Sequence, residues 1–70
     1  MTRQSGEVMK IGATIKKLRK ARGLSQEEFS AIVGISAKYL GFIEQNRKVP
    51  SIRMLSKITK GLKVKIKNLL

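Results

Sequence analysis

The chain has 70 residues, and its sixteen basic and four acidic side chains give a net charge of +12. That length suits one small domain, whose limited apolar surface calls for compact helical packing or a partner. With neither cysteine nor histidine, a disulfide framework, a thiolate metal site and histidine-based acid–base or metal chemistry are excluded, so no metal, cofactor or enzymatic activity is expected.

Residues 1–9 contain Gln4, Ser5 and Gly6 and little apolar content. They read as a flexible or loosely held N-terminal arm, either without contacts or, since a net charge of +12 is a signature of nucleic-acid binding, reaching DNA through Arg3. The remainder, 10–70, reads as one folded unit. A first helix is predicted over about 10–22, with Ile11, Ile15 and Leu18 as its apolar stripe and Lys16, Lys17 and Lys20 outward. Gly23 stops it. Ser25 and Glu28 have the spacing of a capping box and open a second helix. Phe29, Ile32 and Val33 are its expected buried face, and Gly34 can take the positive φ of a helix end. Ser36 caps a third helix, 36–45, with Leu40 and Ile43 inward. Two short helices joined this tightly cross steeply, as in a helix-turn-helix.

Asn46 is the expected left-handed residue after the third helix. Pro50 holds Val49 extended, and Ser51 caps a fourth helix over about 52–60. Ile52, Leu55, Ile58 and Leu62 recur along it, and Gly61 lies near its end. The tail 63–70 is ambiguous, because Val64 and Ile66 alternate with lysines as in a strand.

The segments LRKARGLSQEEFSAIVGIS, YLGFIEQNRKVPS and LSKITKGLKVKIKNLL resemble the lambda-repressor/Cro-like helix-turn-helix family, also called the XRE family. The resemblance covers 11–70 and rests on GLSQEE, Gly34, Ile43-Glu44 and Pro50-Ser51 at these spacings. It implies an all-α fold, a compact bundle of five short helices, with the fifth in the tail and Ile66, Leu69 and Leu70 inward. It also implies that the third helix enters the DNA major groove.

The resemblance places DNA contacts on Gln26, Ser36, Ala37, Lys38, Tyr39, Phe42, Arg47 and Lys48. Gln26, with the free N–H groups of its helix start, would meet a phosphate. Ala37, just after the Ser36 cap, would meet a thymine methyl, and Lys38 would donate to guanine O6 and N7. Phe42 is open between base contact, packing and a subunit contact. Tyr39 would touch a phosphate or pack at the DNA edge. Arg47 and Lys48 would run beside the backbone, or be solvated, and Arg53 has a weaker version of the same role. Gly41 suits a close approach of helix or DNA. Arg19 and Glu44 would form a partly buried ion pair.

The lysines at 57, 60, 63, 65 and 67 form either a solvated surface or a second nucleic-acid track. The resemblance implies dimerisation through this end, and these lysines would repel across the dimer axis, so a weak homodimer is expected. It would join through Ile52, Met54, Leu69 and Leu70 and tighten on DNA.

The function implied is a sequence-specific DNA-binding transcriptional regulator: a phage- or bacterial-type repressor or a restriction–modification controller. The partner would be double-stranded DNA. The rival from another class is an antitoxin subunit that holds a toxin protein as well as DNA. Further rivals are a non-specific nucleic-acid binder and a cationic membrane-surface peptide. The several capped helices and Pro50 argue against the last. No run of about 18 apolar residues occurs, so no membrane crossing is expected. The start lacks the apolar core of a secretory signal, so a cytoplasmic, nucleoid-associated protein is expected. The residues are used up by one domain, so no separate effector domain is expected.

Overall fold

The computed structural model describes the backbone of residues 2–69 and the side chains of 11–69. Four α-helices follow one another: α1 (Thr2–Ala21), α2 (Gln26–Val33), α3 (Ala37–Glu44) and α4 (Ile52–Leu62). A single 3-10 turn, Ile66–Asn68, follows them, and no strand occurs among the described residues. The all-α fold with its helix-turn-helix is as the sequence predicts. The expected fifth helix is reduced to that turn. Lys65 at its start cannot cap with its ammonium group; instead the Asn68 Oδ1 accepts the Lys65 N–H at 2.9 Å. One such bond supports a turn but does not propagate a helix.

Two other boundaries differ from the prediction. Helical backbone begins at Thr2 rather than near residue 10. Residues 2–9 contain no proline, and extending an existing helix costs far less than starting one. The Arg3 side chain lies outside the described residues, as does Leu70. At the other end, α4 continues through Gly61 to Leu62, and Lys63 takes the left-handed cap at φ 60°. Gly61 is used for packing: a Cβ there would stand 3.0 Å from the Phe29 ring.

The serine signals were reliable. Ser25 Oγ accepts the Glu28 N–H at 3.0 Å, and Glu28 Oε1 accepts the Ser25 N–H at 2.8 Å. Ser36 and Ser51 accept from Tyr39 and Met54 in the same way. Gly23, Gly34 and Asn46 all have positive φ, so each turn closes where a residue tolerant of that conformation stands.

The core is Ile15, Phe29, Val33, Leu40, Ile43, Leu55, Ile58, Leu62 and Leu69. α3 lies against α1 and α2, while α4 closes the other side against α1 and α2. Of the residues expected inward, Ile11, Leu18 and Ile66 are half-buried against this core, and two are exposed. Ile32 is 57% exposed and Ile52 is 72% exposed. The buried face of α2 turns instead through Phe29, Ser30 and Val33, which leaves Ile32 at its edge. Ser30 can be buried because its hydroxyl donates to the Glu27 carbonyl at 3.0 Å.

Candidate nucleic-acid interface

Capping sets where α3 begins and which way it faces. Ser36 is extended, its Oγ is engaged by the Tyr39 N–H, and helical geometry starts at Ala37. Leu40 and Ile43 then point into the core at 0% and 1% exposure. With 3.6 residues per turn, the opposite stripe must carry Lys38, Phe42 and Gln45. Lys38 and Gln45 are exposed, and Phe42 is half-buried. Ala37 and Tyr39 are also half-buried, and Tyr39 rests against the core. The sequence reading missed Gln45, although its spacing of seven from Lys38 was the available signal.

Phe42 carries two cations. Lys38 Nζ stands 6.0 Å from the ring centroid, and the Arg47 guanidinium carbon stands 5.6 Å from it. Both are cation–π distances. The ring therefore lies within reach of both the cation of α3 and the cation of the following loop. The loop itself is anchored, because the Arg47 and Lys48 N–H groups both donate to the Phe42 carbonyl, at 2.8 and 3.3 Å. A small recess lined by Phe42, Arg47 and Lys48 lies at this corner.

Glu44 is the only acid between residues 36 and 48, and the fold removes it from this surface. It is 6% exposed and meets Arg19 in a two-pronged pair, Nε to Oε2 at 2.7 Å and Nη2 to Oε1 at 3.0 Å. Arg19 is itself 5% exposed, and its Nη1 donates to the Leu24 carbonyl at 2.7 Å. The expected ion pair is therefore present and more deeply buried than the sequence reading held. Sequestering the acid leaves Lys38, Arg47 and Lys48 with no exposed negative charge on the same segment.

Gln26 is drawn into this network. Its Nε2 donates to Glu44 Oε1 at 3.0 Å. That bond ties the start of α2 to the end of α3, and one amide hydrogen stays available. Nothing in the spacing of Gln26 and Glu44 announces the link. Gly41 lies beneath the same amide: a Cβ there would meet Gln26 Nε2 at 3.7 Å and Oε1 at 3.9 Å. Those are ordinary contacts, so the fold has room for a methyl group. Gly41→Ala is expected to raise stability by about 1 kcal/mol, the usual helix-interior difference, in a thermal melt. Weaker duplex binding by the same variant would show that the glycine serves close approach to DNA. Unchanged binding would sink that role.

Comparison with known proteins places this geometry. A helix-turn-helix family model (HTH_3) matches residues 15–69. The ImmF control region 10 kDa protein of Bacillus phage phi105 is 45% identical over 49 residues, 70% of this chain. The chain spans only 54% of that relative's length. The crystal structure of the restriction-modification controller protein C.AhdI from Aeromonas hydrophila superposes with a TM-score of 0.88 at 28% identity. That match covers 93% of this chain and 98% of the controller. The biofilm master regulator SinR, solved in complex with DNA, superposes at 0.80 with 38% identity, covering 84% of this chain and 95% of SinR.

Proposed function

This chain belongs to the lambda-repressor/Cro-like (XRE) helix-turn-helix family, and we propose that it regulates transcription by reading a short DNA operator with α3 in the major groove. One observation carries the reading. The outward stripe of α3 and the next loop join Lys38, Phe42, Arg47 and Lys48 on a face whose single acid is buried and paired. Lys38 and Ala37 face base edges, and Phe42 contributes by engaging both the Lys38 and the Arg47 cation with its ring. Arg47, Lys48, Tyr39, Ser36 and the free amide hydrogen of Gln26 take the phosphates. Phosphate contacts set register and base contacts set sequence.

The unit that does this is residues 10–70, and its place of work is the bacterial cytoplasm. Among the described residues no helix is long and apolar enough to cross a membrane.

We further propose that it binds as a weak homodimer. Leu69 is 3% exposed and belongs to the core, so it is not free for the dimer contact the sequence suggested. Exposed apolar surface remains on Val49 and Ile52, at 73% and 72% exposure, and Met54 in the first turn of α4 is half-buried. So small a patch gives little affinity without DNA.

The test is selection of bound sequences from a random duplex pool at about 150 mM salt, since salt sets the balance of specific and non-specific binding. A two-fold motif with half-sites about one helical turn apart supports a dimeric reader. A single half-site supports a monomeric one. Tight binding with no enriched motif contradicts sequence reading altogether.

A further inference from the structure

A groove of about 750 Å³ separates α1 from the chain that leaves α4. Its rim is Lys17, Lys63, Lys65 and Lys67, all exposed, and its floor includes Leu18 and Val64, half-buried and packed on the core. Thr14 and Asn68 add polar tips. Among the described residues none of these lysines makes an ion pair, and no acid lines the groove.

Lys63 adds an independent sign. It occupies the left-handed C-cap of α4 at φ 60°, a position that glycine fills without strain. A lysine there holds a cation on the rim at a cost to the backbone, which is the kind of strain that collects at functional positions.

We propose that this groove binds an acidic, leucine-bearing peptide segment of a partner protein. Carboxylates would meet the rim and leucines would cover Leu18 and Val64. The charge of the rim and the apolar floor together select this occupant. A nucleic-acid backbone would use the lysines and leave the floor bare. A second copy of the chain would set four lysines against four. None of the groove residues lies in α2, α3 or the loop beyond it, so the proposal stands apart from the DNA reading.

The test titrates the full-length, nitrogen-15-labelled protein with three probes of equal charge: a synthetic glutamate–leucine peptide, polyglutamate and single-stranded oligothymidine. The glutamate–leucine peptide is expected to shift amides of 14–18 and 63–68 only. It should bind about tenfold more tightly than polyglutamate, the effect of covering one leucine. Lys17→Glu/Lys67→Glu should weaken it by about tenfold or more without lowering the melting temperature, because the reversal relieves self-repulsion. Lys63→Gly should raise the melting temperature and weaken the peptide, a pairing that a purely structural lysine would not give. Equal binding of polyglutamate or oligothymidine, or shifts spread over Lys38, Arg47 and Lys57, overturns the proposal. So does a Lys63→Gly variant that binds the peptide as tightly as the wild type.

Discussion

Glu44→Ala is expected to lower the stability of this domain by about 3–5 kcal/mol, the usual effect of breaking a fully buried ion pair from one side. The substitution takes the acceptor from three donors at once: Arg19 Nε, Arg19 Nη2 and Gln26 Nε2. Arg19 then keeps only the Leu24 carbonyl and remains a charge with 5% exposure. A chain of this size has a total stability of roughly 4–10 kcal/mol. The variant should therefore melt far below the wild type or be unfolded at room temperature, as circular dichroism would show.

The cost lies in the orphaned charge more than in the lost attraction. Arg19→Met/Glu44→Leu should accordingly be more stable than Glu44→Ala alone, since apolar side chains of similar volume often replace a buried pair at no loss. An unchanged melting temperature for Glu44→Ala would show that water reaches the site and that the pair does not hold α1 to α3.

Gly12→Ala is expected to destabilise by about 2 kcal/mol, although alanine is the better helix former. Two effects oppose each other. Propensity favours alanine by about 1 kcal/mol. Against it, a Cβ at Gly12 would overlap the Ile43 carbonyl oxygen, stand 2.6 Å from Asn46 Oδ1 and stand 3.0 Å from the Glu44 carbonyl. Two of these neighbours are backbone atoms at the end of α3, which cannot rotate away. Overpacking of this kind costs about 1–3 kcal/mol, and the rigid partners favour the upper part of that range. Gly12, Ile15 and Arg19 share one face of α1, so a methyl at Gly12 also pushes against the register of the Arg19–Glu44 pair. Gly41→Ala should move the opposite way. A chemical denaturation series on the two variants reads both signs together, and stabilisation by Gly12→Ala would contradict the close approach of α1 and α3.

What could be read from the chain was mostly local. Ser25 with Glu28, Ser36, Ser51, Gly34 and Asn46 each act within four residues, and each closed a helix end where the sequence placed it. The Arg19–Glu44 pair came from family resemblance, because nothing local joins residues 25 apart. The need for glycine at Gly12 depends on α3 passing over it, and no spacing along α1 announces that. Ile32 and Ile52 are apolar and sit at helical intervals, yet their exposure is set by which neighbour covers each face. Ile32 stays 57% exposed at the edge of α2, and Ile52, in the first turn of α4, stays 72% exposed. The end of α4 differs for another reason: Gly61, near which the helix was expected to stop, stays helical and packs against Phe29, so the helix runs on to Leu62 and Lys63 caps it. On the outward side of α3 and the loop after it, Lys38, Phe42, Arg47 and Lys48 come together. The bond from Gln26 to Glu44 and the two cations over Phe42 were visible only in three dimensions.

The most direct measurement compares wild type with Lys38→Ala on the selected operator, on each of its single-base variants and on random duplex, all at one salt concentration. Lys38→Ala is expected to lose about 1–3 kcal/mol on the operator and to lose discrimination at one base pair while the others are kept. An equal loss on operator and random duplex would make Lys38 a phosphate contact and contradict base reading by this face of α3.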